Sequence, residues 1–334
     1  MREERYIGID YLRSLFSVCV VLVHIGYISP SMIFSKEFYL EHAFTVSDFI
    51  NFYLLLLAVP IFFIISNYLF FQKPEDKSVL LIFLLRIGKI AVFWMVLYSI
   101  FRFKGWEIID WLPKSTTELV SFIVSGGHTI YYFFISLIGL TIITHFSKRL
   151  CILHVLVLFI VTTILLLILP ILSVATGFFL LSIYWNPLNF LPYPFAAILV
   201  FHITRLDKAK IKPIYIVLAG FIIFILVVLD WTIYVNKGFF NVHIFAIPAY
   251  TRPSLVLIAM AVLLVATRVN PRRNAVVLFM SKNSLELYCL HPFFLEPAKQ
   301  LSGGNLLISL LLVVFLSYLT GMIMKQFVKQ ELIM

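Results

Sequence analysis

Long apolar runs set the strongest limit on what this chain can become. Ten of them follow one another, at roughly 10–29, 50–71, 79–101, 128–146, 151–173, 189–204, 213–232, 251–268, 276–296 and 305–327. At about 1.5 Å of rise per residue, a helix of roughly twenty residues crosses the hydrocarbon core of a bilayer. With no water in that core to satisfy backbone amides, the expected fold is all-α: a polytopic membrane bundle of about ten transmembrane helices. Composition agrees, since 62% of the 334 residues are hydrophobic and 13% are charged, which excludes a soluble globular chain. The net charge of +10 does not indicate a nucleic-acid partner. Its basic residues fall in short clusters between the runs, the pattern of membrane orientation.

Placing both termini in the cytoplasm puts 19 of the 26 Lys and Arg on the cytoplasmic side and 7 outside. That bias predicts a multi-pass protein of the cytoplasmic membrane with both termini inside. The connections are too short for a soluble domain, so 1–334 reads as one integral-membrane domain. Asp10 and Arg13 interrupt the first run and no small-residue cleavage site follows, so that segment is expected to remain as a helix. The three cysteines, Cys19, Cys151 and Cys289, lie in or beside apolar runs. An odd count at such places argues against a disulfide framework.

The first run carries the chemistry. His24 lies eleven positions after Arg13, three helical turns plus about 20°, so both side chains share one face, with Ser17 and Asp10 close to the same stripe. Ionisable groups at membrane depth face a bundle interior or a wet cavity. The plainer reading makes Asp10 and Arg13 interfacial anchors and puts His24 at the far headgroup level.

Other runs hold fewer polar groups. Pro60 removes a backbone hydrogen bond in the second span and is expected to kink it. Arg86 and Lys89 share a face near the cytoplasmic boundary, either as snorkelling anchors or as a basic mouth for a phosphorylated ligand. Gly126 and Gly127 allow a tight turn before His128, which sits where the fourth span begins, and Tyr131 and Tyr132 taken singly read as an interfacial aromatic belt. Ser284, Tyr288 and His291 follow i, i+4, i+7 and form one stripe, while Glu286 lies on another face and needs its own partner. Arg252, before Pro253, reads as a surface residue or as a phosphate holder.

Taken in order, four stretches resemble the integral-membrane acyltransferase 3 family. They are Tyr6-Ile7-Gly8-Ile9-Asp10-Tyr11-Leu12-Arg13 with His24, Val59-Pro60-Ile61-Phe62-Phe63-Ile64-Ile65-Ser66, His128 through Phe134, and Ser284 through Pro292. The likeness spans essentially the whole chain. It is greatest to the short, single-domain members that O-acetylate bacterial surface glycans, the enterobacterial common antigen O-acetyltransferases among them. Many members carry an Arg-x-x-Arg pair where this chain has Arg86 and Lys89, and Lys keeps the charge without the bidentate fork. Asn67 and Tyr131 stand where glycine and tryptophan are frequent.

The resemblance implies an O-acetyltransferase of the bacterial inner membrane. It would move an acyl group from cytoplasmic acyl-CoA, the co-substrate (acetyl-CoA), to a sugar hydroxyl of a lipid-linked glycan. No resident cofactor or metal is expected. In that reading His24 and Arg13 are catalytic, and Arg86, Lys89 and Asp10 bind the donor. His128, His291, Tyr288, Glu286 and Arg252 bind the acceptor or stabilise the oxyanion. The alternative is a transporter or flippase of a lipid-linked saccharide or acyl compound, which would show an inverted repeat and paired broken helices. No such repeat is visible in the sequence.

Overall fold

The computed structural model describes residues 6–25, 50–103, 112–176, 187–206, 213–236, 250 and 252–327. The long connections 26–49, 104–111, 177–186 and 237–249 lie outside them. The described residues form twelve α-helices and no strand: α1 (Ile7–Ile25), α2 (Ala58–Phe71), α3 (Lys77–Arg102), α4 (Thr116–Val124), α5 (Tyr132–Ser147), α6 (Ile152–Thr176), α7 (Pro192–Arg205), α8 (Pro213–Asn236), α9 (Pro253–Arg268), α10 (Ala275–Lys282), α11 (Ser284–Leu301) and α12 (Leu306–Phe327). Five spans, Ile7–Ile25, Tyr53–Phe71, Lys77–Arg102, Pro187–Arg205 and Leu306–Gln326, are long and apolar enough to cross a bilayer. α3, α6, α8 and α12 leave whole rows of Leu, Ile, Val and Phe exposed. A soluble monomer does not tolerate such surfaces, whereas lipid covers them. The molecule is a membrane helix bundle.

Helix α1 is the hub, packing on α2, α9, α10, α11 and α12. Gly8 makes the closest approach possible, because a Cβ built there would stand 2.0 Å from the Ala266 carbonyl oxygen of α9. Several loops gather at the end where α1 begins. Tyr11 donates to the Arg272 carbonyl, Lys148 to the Lys73 carbonyl, and Arg268 to the Ile203 carbonyl. Arg149 pairs with Glu75 at 2.5 Å, and that hydrogen bond holds the exposed Glu75 carboxyl below the usual carboxylate range. Lys73, Lys148, Arg149, Arg205, Arg268, Arg272 and Arg273 therefore belong to one basic end.

Two spans depart from simple helices. The second winds as a π-helix over Ile50–Leu55, gives way to a turn at Leu56 and Leu57, and resumes as α2. Pro60 sits in the first turn of α2, where backbone N–H groups have no acceptor within the helix, so its missing N–H costs little. The ninth span is two helices that meet at Asn283. The Asn283 side chain donates to the Phe279 carbonyl, 2.7 Å away, and such local bonding competes with the helical ladder. The fourth span likewise starts late: Gly126, Gly127 and His128 all have positive φ, at 59°, 69° and 55°. At Gly126 glycine is obligatory, since a Cβ would meet the Tyr132 nitrogen at 2.2 Å. A short surface helix, α4, occupies part of the 102–127 connection. Ser115 caps it, accepting from Glu118 N, and Glu118 accepts from Lys114 N, a capping-box arrangement in the sequence Ser-Thr-Thr-Glu.

Candidate active site

The stripe of α1 that carries Arg13 and His24 turns inward. Ser17, Val20 and Val21 on that stripe are almost wholly buried, while Leu15, on the opposite side, is half exposed. His24 itself is exposed yet densely surrounded by protein. His24 thus stands as an exposed ring at the far end of an otherwise buried stripe. Arg13 is half-buried.

Asp10 is engaged elsewhere. It is buried, and its carboxylate accepts a hydrogen bond from Ser281 Oγ at 2.6 Å, tying α1 to α10. Ser14 adds a second tie, donating to the carbonyls of Asp10 and Val277. The position of α1 against α10 is thus held by short polar contacts between helix backbones, the usual glue between apolar helices.

Opposite His24 stands His291 of α11, fully buried. The ring centroids are 5.1 Å apart with planes inclined at 36°. His291 owes its place to its neighbours. Pro292 lacks the N–H that would close the helical bond to the Tyr288 carbonyl, loosening this turn. The His291 Nδ1 atom reaches back to the Leu287 carbonyl, 3.1 Å away. Two tyrosines then pin α11 to the start of α5: Tyr288 OH donates to the Ile130 carbonyl, and Tyr131 OH donates to the Cys289 carbonyl at 2.8 Å. Ser284, Tyr288 and His291 lie on one buried stripe, as their spacing requires. Tyr131 and Tyr132 are also buried. They are core and hydrogen-bonding residues rather than an interfacial belt, because the left-handed turn at Gly126–His128 drives the chain into the bundle before the helix starts.

Glu286 has the separate partner its face demands. Its Oε1 lies 2.5 Å from Lys325 Nζ on α12, and Lys325 also donates to Asn283 at 2.7 Å. The pair spans the join of α10 and α11 and locks α12 against it. Arg86 and Lys89 are both exposed. Lys89 shares its side of α3 with the exposed Ile82, Leu85 and Val96. His128 is exposed as well, with its ring 6.0 Å from that of Phe122.

Arg252 is not a surface residue. It is buried at the end of the bundle away from the basic loops, its guanidinium 4.9 Å from the Tyr53 ring centroid. Beside it Ser254 Oγ donates to the buried Asp230 carboxylate. Asp230 was legible as an acid inside an apolar run and was missed because the sequence offers it no partner in reach along its own helix. Tyr193 is buried with an unpartnered hydroxyl. Tyr250 is within electrostatic reach of both Tyr193 and Tyr288.

A helical bundle in which an arginine–histidine stripe of α1 meets a second, buried histidine has ionisable groups at membrane depth, where they are candidates for function. Comparison with protein families makes the class specific. The model described as an acyltransferase domain, Acyl_transf_3, matches residues 6–325, nearly the whole chain, and the chain belongs to that family. It is a membrane acyltransferase. No protein of curated function and no solved structure matched it.

Proposed function

We propose that the protein O-acetylates a bacterial surface glycan, taking acetyl from cytoplasmic acetyl-CoA and delivering it to a sugar hydroxyl of a lipid-linked acceptor. It would do so as a single catalytic unit in the inner membrane, with ten spans and both termini in the cytoplasm. The observation that carries this reading is His24, an exposed imidazole on the buried stripe of α1, 5.1 Å from the buried His291 ring, in an acyltransferase-family chain. A hydroxyl is a poor nucleophile near neutral pH, and a neutral imidazole can remove its proton as attack proceeds. The acceptor oxygen bonds to the thioester carbonyl carbon, and its proton passes to His24. The C–S bond then breaks, and His24 returns the proton to the departing thiolate.

Arg13, about 16 Å from His24 along the helix, would offset negative charge of the donor. Arg86 and Lys89 would receive the nucleotide phosphates at the basic end. Asp10 contributes through its tie to Ser281, setting the depth and rotation of α1. Acceptor binding falls to the opposite end, to Arg252 and Tyr288, with His128 at the surface. The acceptor most in keeping with the chain's resemblance is a glycan of the enterobacterial common antigen kind.

The test is acetyl transfer from radiolabelled acetyl-CoA to lipid-linked glycan extracted from host membranes, using protein in lipid nanodiscs. His24→Gln keeps size and hydrogen bonding but exchanges no proton near neutral pH. Activity should fall roughly 10²–10⁴-fold, the usual contribution of a general base. Turnover within a few-fold of wild type would remove His24 from the catalytic role and leave the reaction without its base, whereas no transfer by the wild-type protein would overturn the acetyl-transfer reading.

A further inference from the structure

We propose that His291 is the positioning partner of His24: it accepts the N–H of the His24 ring, fixes which His24 nitrogen faces the substrates, and through that hydrogen bond stabilises the positive charge His24 acquires. This rests on His24 being the base of the reaction above. Four features of the pair support it. A carbonyl oxygen only accepts hydrogen bonds, so the His291 Nδ1 atom at the Leu287 carbonyl carries the hydrogen of the neutral ring. Nε2 therefore keeps the lone pair. That atom is buried and has no hydrogen-bond partner, and burying an acceptor without a partner is costly.

The phenol nearest the ring does not serve Nε2: Tyr288, with its ring 6.0 Å from that of His291, gives its hydroxyl hydrogen to the Ile130 carbonyl. What stands against the ring is His24, at a centroid separation of 5.1 Å. A nitrogen-to-nitrogen hydrogen bond of about 3 Å between two imidazoles sets their centroids roughly 5 Å apart. The rings are at the right separation, and a reorientation of His24, the exposed member, completes the contact.

The consequence is a division of labour. With its N–H given to His291, His24 presents a lone pair on its other nitrogen and takes the acceptor's proton as the C–O bond forms. The resulting imidazolium holds its hydrogen bond to His291 until the proton leaves with the CoA thiolate. His291 stays neutral throughout. The same tautomer removes His291 from oxyanion stabilisation, because its only N–H is spent on Leu287.

The experiment compares wild type, His291→Gln and His291→Met in nanodiscs with ¹⁵N-labelled imidazole rings, His24→Gln serving to assign the His24 signals. Gln can place a carbonyl oxygen near the position of Nε2, whereas Met fills similar volume without a comparable acceptor. Wild type should show one dominant His24 tautomer, retained by His291→Gln and scrambled by His291→Met. In the transfer assay His291→Met should lose roughly ten- to a hundredfold in kcat, a part of the general-base contribution, at unchanged KM for acetyl-CoA, with most of the loss recovered by Gln. A mixed tautomer in wild type, an unchanged one in His291→Met, or Gln performing no better than Met would each overturn the proposal. The tautomer is read without turnover. A failure of the His24 base reading would show instead as persistent transfer by His24→Gln, so the two failures are separable.

Discussion

Asp10 and Glu286 show how single acids survive inside an apolar bundle. Asp10 takes the Ser281 hydroxyl and Glu286 takes Lys325, so neither charge is left in hydrocarbon without a partner, which would cost far more than either contact returns. Asp230 is handled in the same way by Ser254. The sequence marks all three as anomalous, but their partners lie 271, 39 and 24 positions away, on other helices. Gly8 is the opposite case. It reads as an ordinary residue of an apolar helix, yet it stands where α1 and α9 touch backbone to backbone. Gly8→Ala should therefore destabilise the bundle by roughly 1–3 kcal/mol, the usual cost of overpacking, despite the better helix propensity of alanine. Thermal unfolding of the two proteins in the same detergent checks this. A variant as stable as wild type would mean that α1 and α9 do not meet at Gly8.

Helix α3 illustrates how much one element leaves undecided. Its buried side is Ile87, Ile90, Ala91 and Trp94, and Arg86 and Lys89 stand away from that side, one of them among exposed aliphatics. A snorkelling anchor and a donor contact would both sit there, since each needs the charged head at the boundary. Replacing both by Gln separates them. If the cations hold phosphate, the KM for acetyl-CoA should rise at least several-fold, because a charge-assisted contact is worth roughly 1.5–3 kcal/mol. Unaltered acetyl-CoA binding by the purified double variant would reduce both residues to anchors. The broken span of α10 and α11 carries a related lesson. Its apolar run is continuous in the sequence, but the helix is interrupted at Asn283, whose side chain donates to the Phe279 carbonyl and accepts from Lys325. That division lets α10 engage Asp10 while α11 brings His291 to His24.

The molecule as a whole gathers its basic loops at one end, with the α5–α6 loop held to the α2–α3 loop and the end of α9 held to the end of α7. Joined to the 19-to-7 distribution of Lys and Arg, this predicts the orientation. Reporter fusions after residues 76, 208 and 273 should read as cytoplasmic, and fusions after residues 112 and 240 as external. One reversed site would break the alternation and move His24 to a different depth.

Run lengths, the charge bias and the 20° offset between Arg13 and His24 follow from the sequence alone, because each depends only on spacing along the chain or on charge near a boundary. They determined an all-helical membrane protein with one chemically loaded stripe. Which face of each remaining helix meets protein and which meets lipid came only from the tertiary structure. In water a core-facing side announces itself by contrast with a polar one; in a bilayer both surroundings are apolar, and the contrast vanishes. The buried burden of Tyr131, the pairing of Glu286 with Lys325 and the meeting of His24 with His291 belong to that second kind. Each depends on two helices approaching from distant parts of the chain, and nothing in the local pattern of either one encodes the other.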